Sequence, residues 1–395
     1  MDGIRGVAER WKELSGEKSW QKLLEPLDID LRRYIIHYGE MSEAAYDAFN
    51  VEKVSKYAGD CRYSMQNLFS SVGLTAANPF VYKPTKYLYA TSKINLPDCF
   101  IVRSLSREAW DKESNWIGYI AVATDEGKAA LGRRDIVIAF RGTVQYAELG
   151  TGMNFPLVSA ADLLGDDTDF NPLVHQGWLS MYTSDDPLSQ YNKTSVRSQI
   201  VEELKRLLDE YKDEEISLTL TGHSLGGALS TLCAADIIVN GLNRIENRTE
   251  KCPVTVFAFG CPRVGDKYFK DLFDRSKDVH VLRISNAPDG VPHIPPIGFS
   301  EVGQVLKIDT RKSFYVRTGN LVTWHDMELY LHGVAGTQGR RDLFRLDVKR
   351  DIALINKWTS ILKDEYLVPG SWWGEKNKSM VQQEDGSWQL EDHQI

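Results

Sequence analysis

Apolar positions change their spacing twice along the chain. Up to about residue 60 they recur at helical intervals: Leu31, Ile35, Tyr38, Ala45 and Phe49 fall on one face, with no proline after Pro26, so the spacing predicts a helical lead-in packed on a larger body. Between Asn78 and Pro97 two further prolines, several tyrosines and scattered polar residues break any period, and an irregular surface wrap is expected. From Trp116 the period shortens. Residues 116–124 read as a strand, 125–134 as a polar connection with a turn, and 135–140 as a β-branched run ending at Arg141-Gly142-Thr143, which is the pattern of a β-hairpin. Residues 216–222, 254–260 and 279–285 are nearly continuous apolar runs separated by helical patterns, as expected of strands buried on both faces of a mostly parallel sheet. Ahead of the first of them, Val196, Ile200, Leu204, Leu207, Leu208 and Tyr211 form one stripe with Glu202, Glu203, Lys205 and Arg206 opposite, so this helix covers a face of the sheet. Past Gly370 the chain turns polar, and Trp372, Trp373 and Trp388 are expected to pin an irregular tail whose last residues fray.

Composition narrows the class. A chain of 395 residues has room for two or three domains, or one enlarged domain, and 42% hydrophobic with 26% charged residues is the balance of an ordinary globular protein. A net charge of −8 offers no field to hold a phosphate backbone, so no nucleic-acid partner is expected. The five cysteines, Cys61, Cys99, Cys233, Cys252 and Cys261, are odd in number and without a Cys-x-x-Cys pair, which argues against a disulfide framework or a structural zinc site. No run approaches the roughly 18 apolar residues of a membrane span. The first twenty residues carry acids throughout and lack the apolar core of a secretory signal, so a cytoplasmic location is the expectation.

The segment 217–238 carries the chemistry. A strand runs into Gly222-His223-Ser224-Leu225-Gly226 and then into a small-residue helix, the context a nucleophile elbow requires. Glycines on either side let strand and helix approach, and the serine takes a strained backbone that pushes its hydroxyl out, so Ser224 is the candidate nucleophile. In the hydrolase order the acid and base lie downstream. Asp289 follows the 279–285 strand, whereas Asp274 and Asp278 belong to a polar helix and its exit, and Asp309 follows a peripheral run. Among histidines, His325 stands where a polar loop meets a helix; His293 is close to Asp289 but poorly placed to reach Ser224, and His332 lies one heptad further along as a structural alternative. A tetrahedral oxyanion needs preorganised donors. Leu225 supplies the amide after the nucleophile, and Thr143 is the candidate for the second, unless Gly142-Thr143 only turns the chain. The segment 144–165, with Tyr146, Leu149, Met153, Phe155, Leu157 and Val158, is either an apolar lid opening onto lipid or an ordinary loop packed on the core.

These pieces resemble the class 3, fungal-type lipases, and among them the plant class II phospholipases A1. The resemblance rests on Arg10–Gly16 (RWKELSG), residues 23–49, AFRGTV at 139–144, VHQGW at 174–178, GHSLGGALS at 222–230, FGCPRVGD at 259–266, NAPDGVPHIPP at 286–296, HDMELYLHGVAG at 325–336 and KDEYLVPGSWW at 363–373. It implies an α/β-hydrolase fold with a mostly parallel central sheet, organised as a lead-in over 1–60, a catalytic domain over 61–365 and a wrapped tail over 366–395. It also implies Ser224 as nucleophile, Asp289 as orienting acid, His325 as base, Leu225 and Thr143 as oxyanion donors, and Tyr146, Met153 and Phe155 in the lid. The implied reaction is hydrolysis of the sn-1 acyl ester of a glycerolipid without metal or cofactor, during transient contact with a membrane or lipid aggregate. Trp178 departs from the family's usual Phe and is expected to alter packing. Two other classes remain open at this point: a lipase-like scaffold or receptor without turnover, and a carboxylesterase of small soluble esters.

Overall fold

In a computed structural model, residues 5–75, 78–98, 100–111, 114–143, 155–165, 171–339, 343–373 and 380–394 are described. Seven strands form one sheet in chain order: β1 (Tyr82–Ala90), β2 (Asn115–Ala123), β3 (Arg134–Phe140), β4 (Ile216–His223), β5 (Val254–Phe259), β6 (Val279–Asn286) and β7 (Gln304–Ile308). The first three are antiparallel neighbours, and every pairing from β3 to β7 is parallel. Burial on both faces follows from the two-residue period. Along β3, Ile136, Ile138 and Phe140 face one core, while Val137 and Ala139 face the other.

Helices supply the second side of each core. The lead-in contributes α1 (Arg5–Leu14) and α2 (Ile29–Asp47), the latter capped by the Asp28 carboxylate, which accepts the Asp30 and Leu31 amides. These share a core with α6 (Met327–Gly336). The opposite core holds α3 (Gln176–Thr183), α4 (Val196–Glu210) and α5 (Leu225–Val239), with the apolar stripe of α4 buried from Val196 to Leu208.

A buried polar knot joins α2 to the sheet. The Asp135 carboxylate accepts hydroxyls from Tyr38 (2.8 Å), Tyr82 (2.7 Å), Ser217 (2.5 Å) and Thr219 (2.8 Å), with the Arg133 guanidinium 3.4 Å away. Arg133 also donates to Tyr34, Tyr38 and Ser217. An ion pair in this position is tolerable because the carboxylate accepts four hydroxyls and the guanidinium donates to three side-chain oxygens and to the Leu131 carbonyl.

Four expectations change. The 78–97 stretch is not an irregular wrap, because residues 82–90 form β1. Its place at the sheet edge tolerates Pro84, where the register is irregular, and its tyrosines cover strand neighbours instead of breaking the strand. The connection in the β2–β3 hairpin contains a helix, Asp125–Leu131, started by Thr124, whose hydroxyl accepts the Gly127 amide, and ended by Gly132 in the left-handed conformation. Trp372 is pinned as expected, donating to the Ala353 carbonyl, and Trp373 lies against the Lys357 ammonium, but Trp388 sits in a short exposed hairpin and pins nothing. Residues 392 and 393 dock instead of fraying: Asn50 donates to Asp392 at 2.8 Å, and the His393 ring stacks on Tyr57 at 4.1 Å.

Candidate active site

The elbow forms at the carboxyl end of β4. A Cβ on Gly222 would lie 2.2 Å from the Gly226 carbonyl carbon, and one on Gly226 would lie 2.3 Å from the Phe140 carbonyl oxygen, so only glycines let helix α5 start this close to the strands. Ser224 sits between them at φ 56° and ψ −123°, a region non-glycine residues avoid at a cost of about 1–3 kcal/mol. Its amide donates to the Phe259 carbonyl at 2.9 Å. Ser224 Oγ is buried and has no hydrogen-bond partner among the described residues. As the residue before α5 it stands at the positive end of a helix of 15 residues, where negative charge is favoured.

Asp289 and His325 meet beyond the end of β6. His325 Nδ1 lies 2.6 Å from Asp289 Oδ2, and both side chains are buried. The loop that presents Asp289 is self-bracing: its amide donates to the Asn286 carbonyl, and its Oδ1 accepts the Val291 amide at 2.9 Å. Asn286 in turn bonds Thr310 and the Trp324 carbonyl, which ties the acid's loop to the base's loop. His325 ends the short helix Leu321–Trp324, which an Asn320–Thr323 capping box starts, and precedes Asp326, the cap of α6.

The other downstream candidates are elsewhere. His332 is buried against Ser313 Oγ at 2.8 Å, and burial holds its imidazole down to about 3, so it is a neutral structural residue. His293 is exposed beside Glu301, 3.9 Å away. Asp309 pairs with Arg311, and Asp274 with Lys270.

Thr143 is fully buried, and its Oγ1 has no hydrogen-bond partner among the described residues. The loop holding it is set by Arg141. That guanidinium donates to the carbonyls of Gly142 (2.9 Å), Trp116 (2.8 Å) and Phe100 (3.1 Å) and lies 3.9 Å from the Phe49 ring. A Cβ on Gly142 would fall 2.5 Å from the His223 carbonyl oxygen, so the loop runs directly against the elbow.

Of the lid candidates, Tyr146 and Met153 lie outside the described residues. Phe155 is half-buried and meets the His175 ring edge-on at 5.5 Å. His175 caps α3, accepting the Gly177 amide, and stacks on the buried Trp178 at 4.0 Å. Phe155, Leu157, Pro295, Pro296, Ile297 and Phe299 line an open apolar groove of about 420 Å³ that includes residues just downstream of the acid loop. A second cavity, about 540 Å³, lies at the amino ends of the parallel strands among mixed charges such as Lys12, Glu215, Lys251 and Asp278; it includes none of the candidate catalytic residues.

Three residues at the site escaped the sequence reading. Tyr330, one turn into α6, donates its hydroxyl to Asp289 Oδ2 at 2.5 Å and accepts the Asn286 amide. Burial and the Asp289 charge push its phenol well above the ordinary range, so it stays a donor. His223 lies beside His325 with ring centroids 4.5 Å apart, and Tyr46 reaches His223 Nδ1 from α2 at 2.8 Å. The elbow motif flags His223 by position alone; nothing in the sequence links Tyr46 or Tyr330 to the site, because those contacts span 177 and 41 residues.

An elbow serine in a strained turn and a buried Asp–His pair past the ends of a mostly parallel sheet are the arrangement of an α/β hydrolase. Residues 137–299 match the family Lipase (class 3). The chain is 54% identical to phospholipase A1-IIgamma of Arabidopsis thaliana over 99% of its length and 94% of that protein, and 51% identical to phospholipase A1-II 1 of Oryza sativa subsp. indica over 100% and 98%. Among solved structures, the lipase of Rhizopus microsporus var. chinensis aligns with 72% of this chain and 76% of its own at 21% identity and a TM-score of 0.45. The chain belongs to the class 3 lipases and, within them, to the plant class II phospholipases A1, and it is a carboxylic ester hydrolase.

Proposed function

We propose that this enzyme is a phospholipase A1 that hydrolyses the sn-1 acyl ester of glycerophospholipids, with Ser224, His325 and Asp289 as its triad. The observation that carries the reading is a strained, buried elbow serine together with a buried His325–Asp289 pair whose imidazole packs on His223, the residue before that serine. In the first half-reaction His325 takes the Ser224 proton as Oγ attacks the ester carbon. The tetrahedral oxyanion is received by the Leu225 amide at the start of α5 and by Thr143 from the loop after β3. Collapse breaks the bond to the glycerol oxygen, which leaves with the proton held by His325, and the lyso-phospholipid departs. Water, deprotonated by His325, then attacks the acyl-enzyme and releases the fatty acid and Ser224.

The phospholipid assignment is supported by the names of the relatives, and a lipid substrate by the apolar groove along Phe155 and Ile297. Because Ser224 is buried, substrate admission requires a covering segment to move, which fits brief docking on a membrane or micelle surface. The buried cysteines Cys61, Cys233, Cys252 and Cys261, none of them in a disulfide, support work in the cytoplasm. The test is a phosphatidylcholine carrying different acyl chains at sn-1 and sn-2, presented to the purified enzyme and to Ser224→Ala. Release of the sn-1 chain, lost in Ser224→Ala, is expected; equal activity in the two proteins, or sn-2 release, overturns the reading.

A further inference from the structure

The side chain beside the nucleophile and a tyrosine from the lead-in helix form a second pair at the site. His223 is fully buried, and its Nδ1 lies 2.8 Å from the Tyr46 hydroxyl. Its ring is tilted 40° against His325 at 4.5 Å and is flanked by Tyr330 at 5.7 Å. Its other nitrogen is on the His325 side: a Cβ on Gly260 would lie 3.1 Å from His223 Nε2 and 3.0 Å from His325 Cε1. A neutral imidazole has one donor and one acceptor nitrogen. With the proton on the nitrogen turned to His325, Nδ1 is the acceptor and Tyr46 donates.

Burial and the neighbouring His325 hold His223 well below the usual imidazole range. It therefore remains neutral, adds no like charge when His325 carries the proton in the transition state, and cannot replace His325 as base. Tyr46 touches the oxyanion side as well: a Cβ on Gly142 would fall 1.9 Å from its hydroxyl. One phenol thus spaces the Gly142-Thr143 loop from the elbow and fixes the ring that borders the base.

We propose that Tyr46 and His223 are a positioning pair for the catalytic base, in which the Tyr46 hydroxyl sets the tautomer and plane of His223, and His223 holds the His325 ring turned toward Ser224 while its Nδ1 stays on Asp289. The proposal rests on the triad assigned above. It makes α2, which lies outside the matched segment 137–299, part of the catalytic apparatus.

The experiment uses the full chain and a soluble short-chain p-nitrophenyl ester, so that lipid docking does not enter. Tyr46→Phe keeps the ring and removes the donor; kcat is expected to fall about tenfold with KM within twofold and the unfolding midpoint nearly unchanged. His223→Gln keeps an amide N–H toward His325, and His223→Leu does not, so Gln is expected to retain at least about ten times the kcat of Leu. The downfield proton resonance between His325 and Asp289 is expected to shift or broaden in Tyr46→Phe. Unchanged kcat and resonance in Tyr46→Phe, a loss that follows KM or folding alone, or equal activity of the Gln and Leu variants overturns the pair. Ser224→Ala and His325→Ala run in the same series separate the two readings: activity surviving in them defeats the triad, whatever Tyr46→Phe does.

Discussion

Gly260, the residue after β5, offers a perturbation whose size can be worked from atom positions. It has φ +52°. An alanine Cβ there would lie 3.0 Å from His325 Cε1, 3.1 Å from His223 Nε2 and 3.2 Å from His325 Nδ1. Ordinary carbon contacts need roughly 3.5 Å or more, so both rings must retreat by several tenths of an ångström. His325 has little room, because its Nδ1 is 2.6 Å from a carboxylate braced by Tyr330 and its own loop. The left-handed backbone costs alanine about 1 kcal/mol and the crowding about 1–3 kcal/mol more. Misplacing a reacting group by 1 Å costs about a hundredfold, so a displacement of this size is expected to lower kcat by roughly tenfold or more. Gly290, next to Asp289, is the control: it has φ −83°, and a Cβ there meets nothing within 4 Å. Gly290→Ala should leave kcat intact and stabilise slightly, by about 0.5 kcal/mol. The assay is kcat on a soluble ester beside a urea titration for each variant. Wild-type kcat in Gly260→Ala, or an equal loss in Gly290→Ala, would refute the placement of the two imidazoles.

Two further outcomes concern buried charge. Asp135→Asn keeps the shape of the knot between α2 and the sheet but turns an amide NH₂ toward hydroxyl donors and leaves Arg133 without its anion; urea unfolding should show a loss of about 3–5 kcal/mol, partly recovered by adding Arg133→Met, and a loss below about 1 kcal/mol would mean the charge is not what holds the knot. Burial, and then the neighbouring Glu328, push Asp326 up from 3.8 to about 7. Between those values the folded chain holds a proton the unfolded chain has released, so this group makes stability decline as pH rises from about 4 to about 7. Asn at 326 can still cap α6 through its oxygen, and Asp326→Asn should therefore gain about 2–4 kcal/mol at pH 8 and little at pH 4, whereas a pH-independent difference would contradict the assignment.

Local chemistry made part of the site readable. The elbow is written in five consecutive residues because strand, strained turn and helix adjoin there, and Asp289 follows from the rule that such an acid lies just past a strand. The parallel strands were legible because burial on both faces removes polar alternation. β1 was hidden for the opposite reason. An edge strand tolerates proline and displays polar side chains, so its sequence resembles a loop. The Asp125–Leu131 helix went unread because seven residues carry too little period to separate a helix from a turn. Tyr330 and Tyr46 are invisible as functional residues in one sequence, since a tyrosine on a buried helix face reads as core; only the fold shows that their hydroxyls end on Asp289 and His223.

The distribution of these residues bears on what the catalytic unit is. Residues 137–299 contain Ser224, Asp289, Leu225 and Thr143 but neither His325 nor Tyr330, and they lack Tyr46. The base depends on still more distant segments. Behind His325, Asp326 and Glu328 face a group of carboxylates on α2, Glu40, Glu43 and Asp47, and Lys357 and Arg350 neutralise them from the C-terminal side: Lys357 Nζ lies 2.5 Å from Asp47 and 3.4 Å from Glu328, and Arg350 pairs with Glu40 and Glu328. Without those two cations, four buried carboxylates and the half-buried Glu40 would stand around the loop that carries His325, and they would meet their charge by taking up protons or by pulling apart. The lead-in and the segment after α6 are therefore structural parts of the triad's surroundings. A chain cut to the matched segment would keep Ser224 and Asp289 but lose His325, the base of the proposed triad.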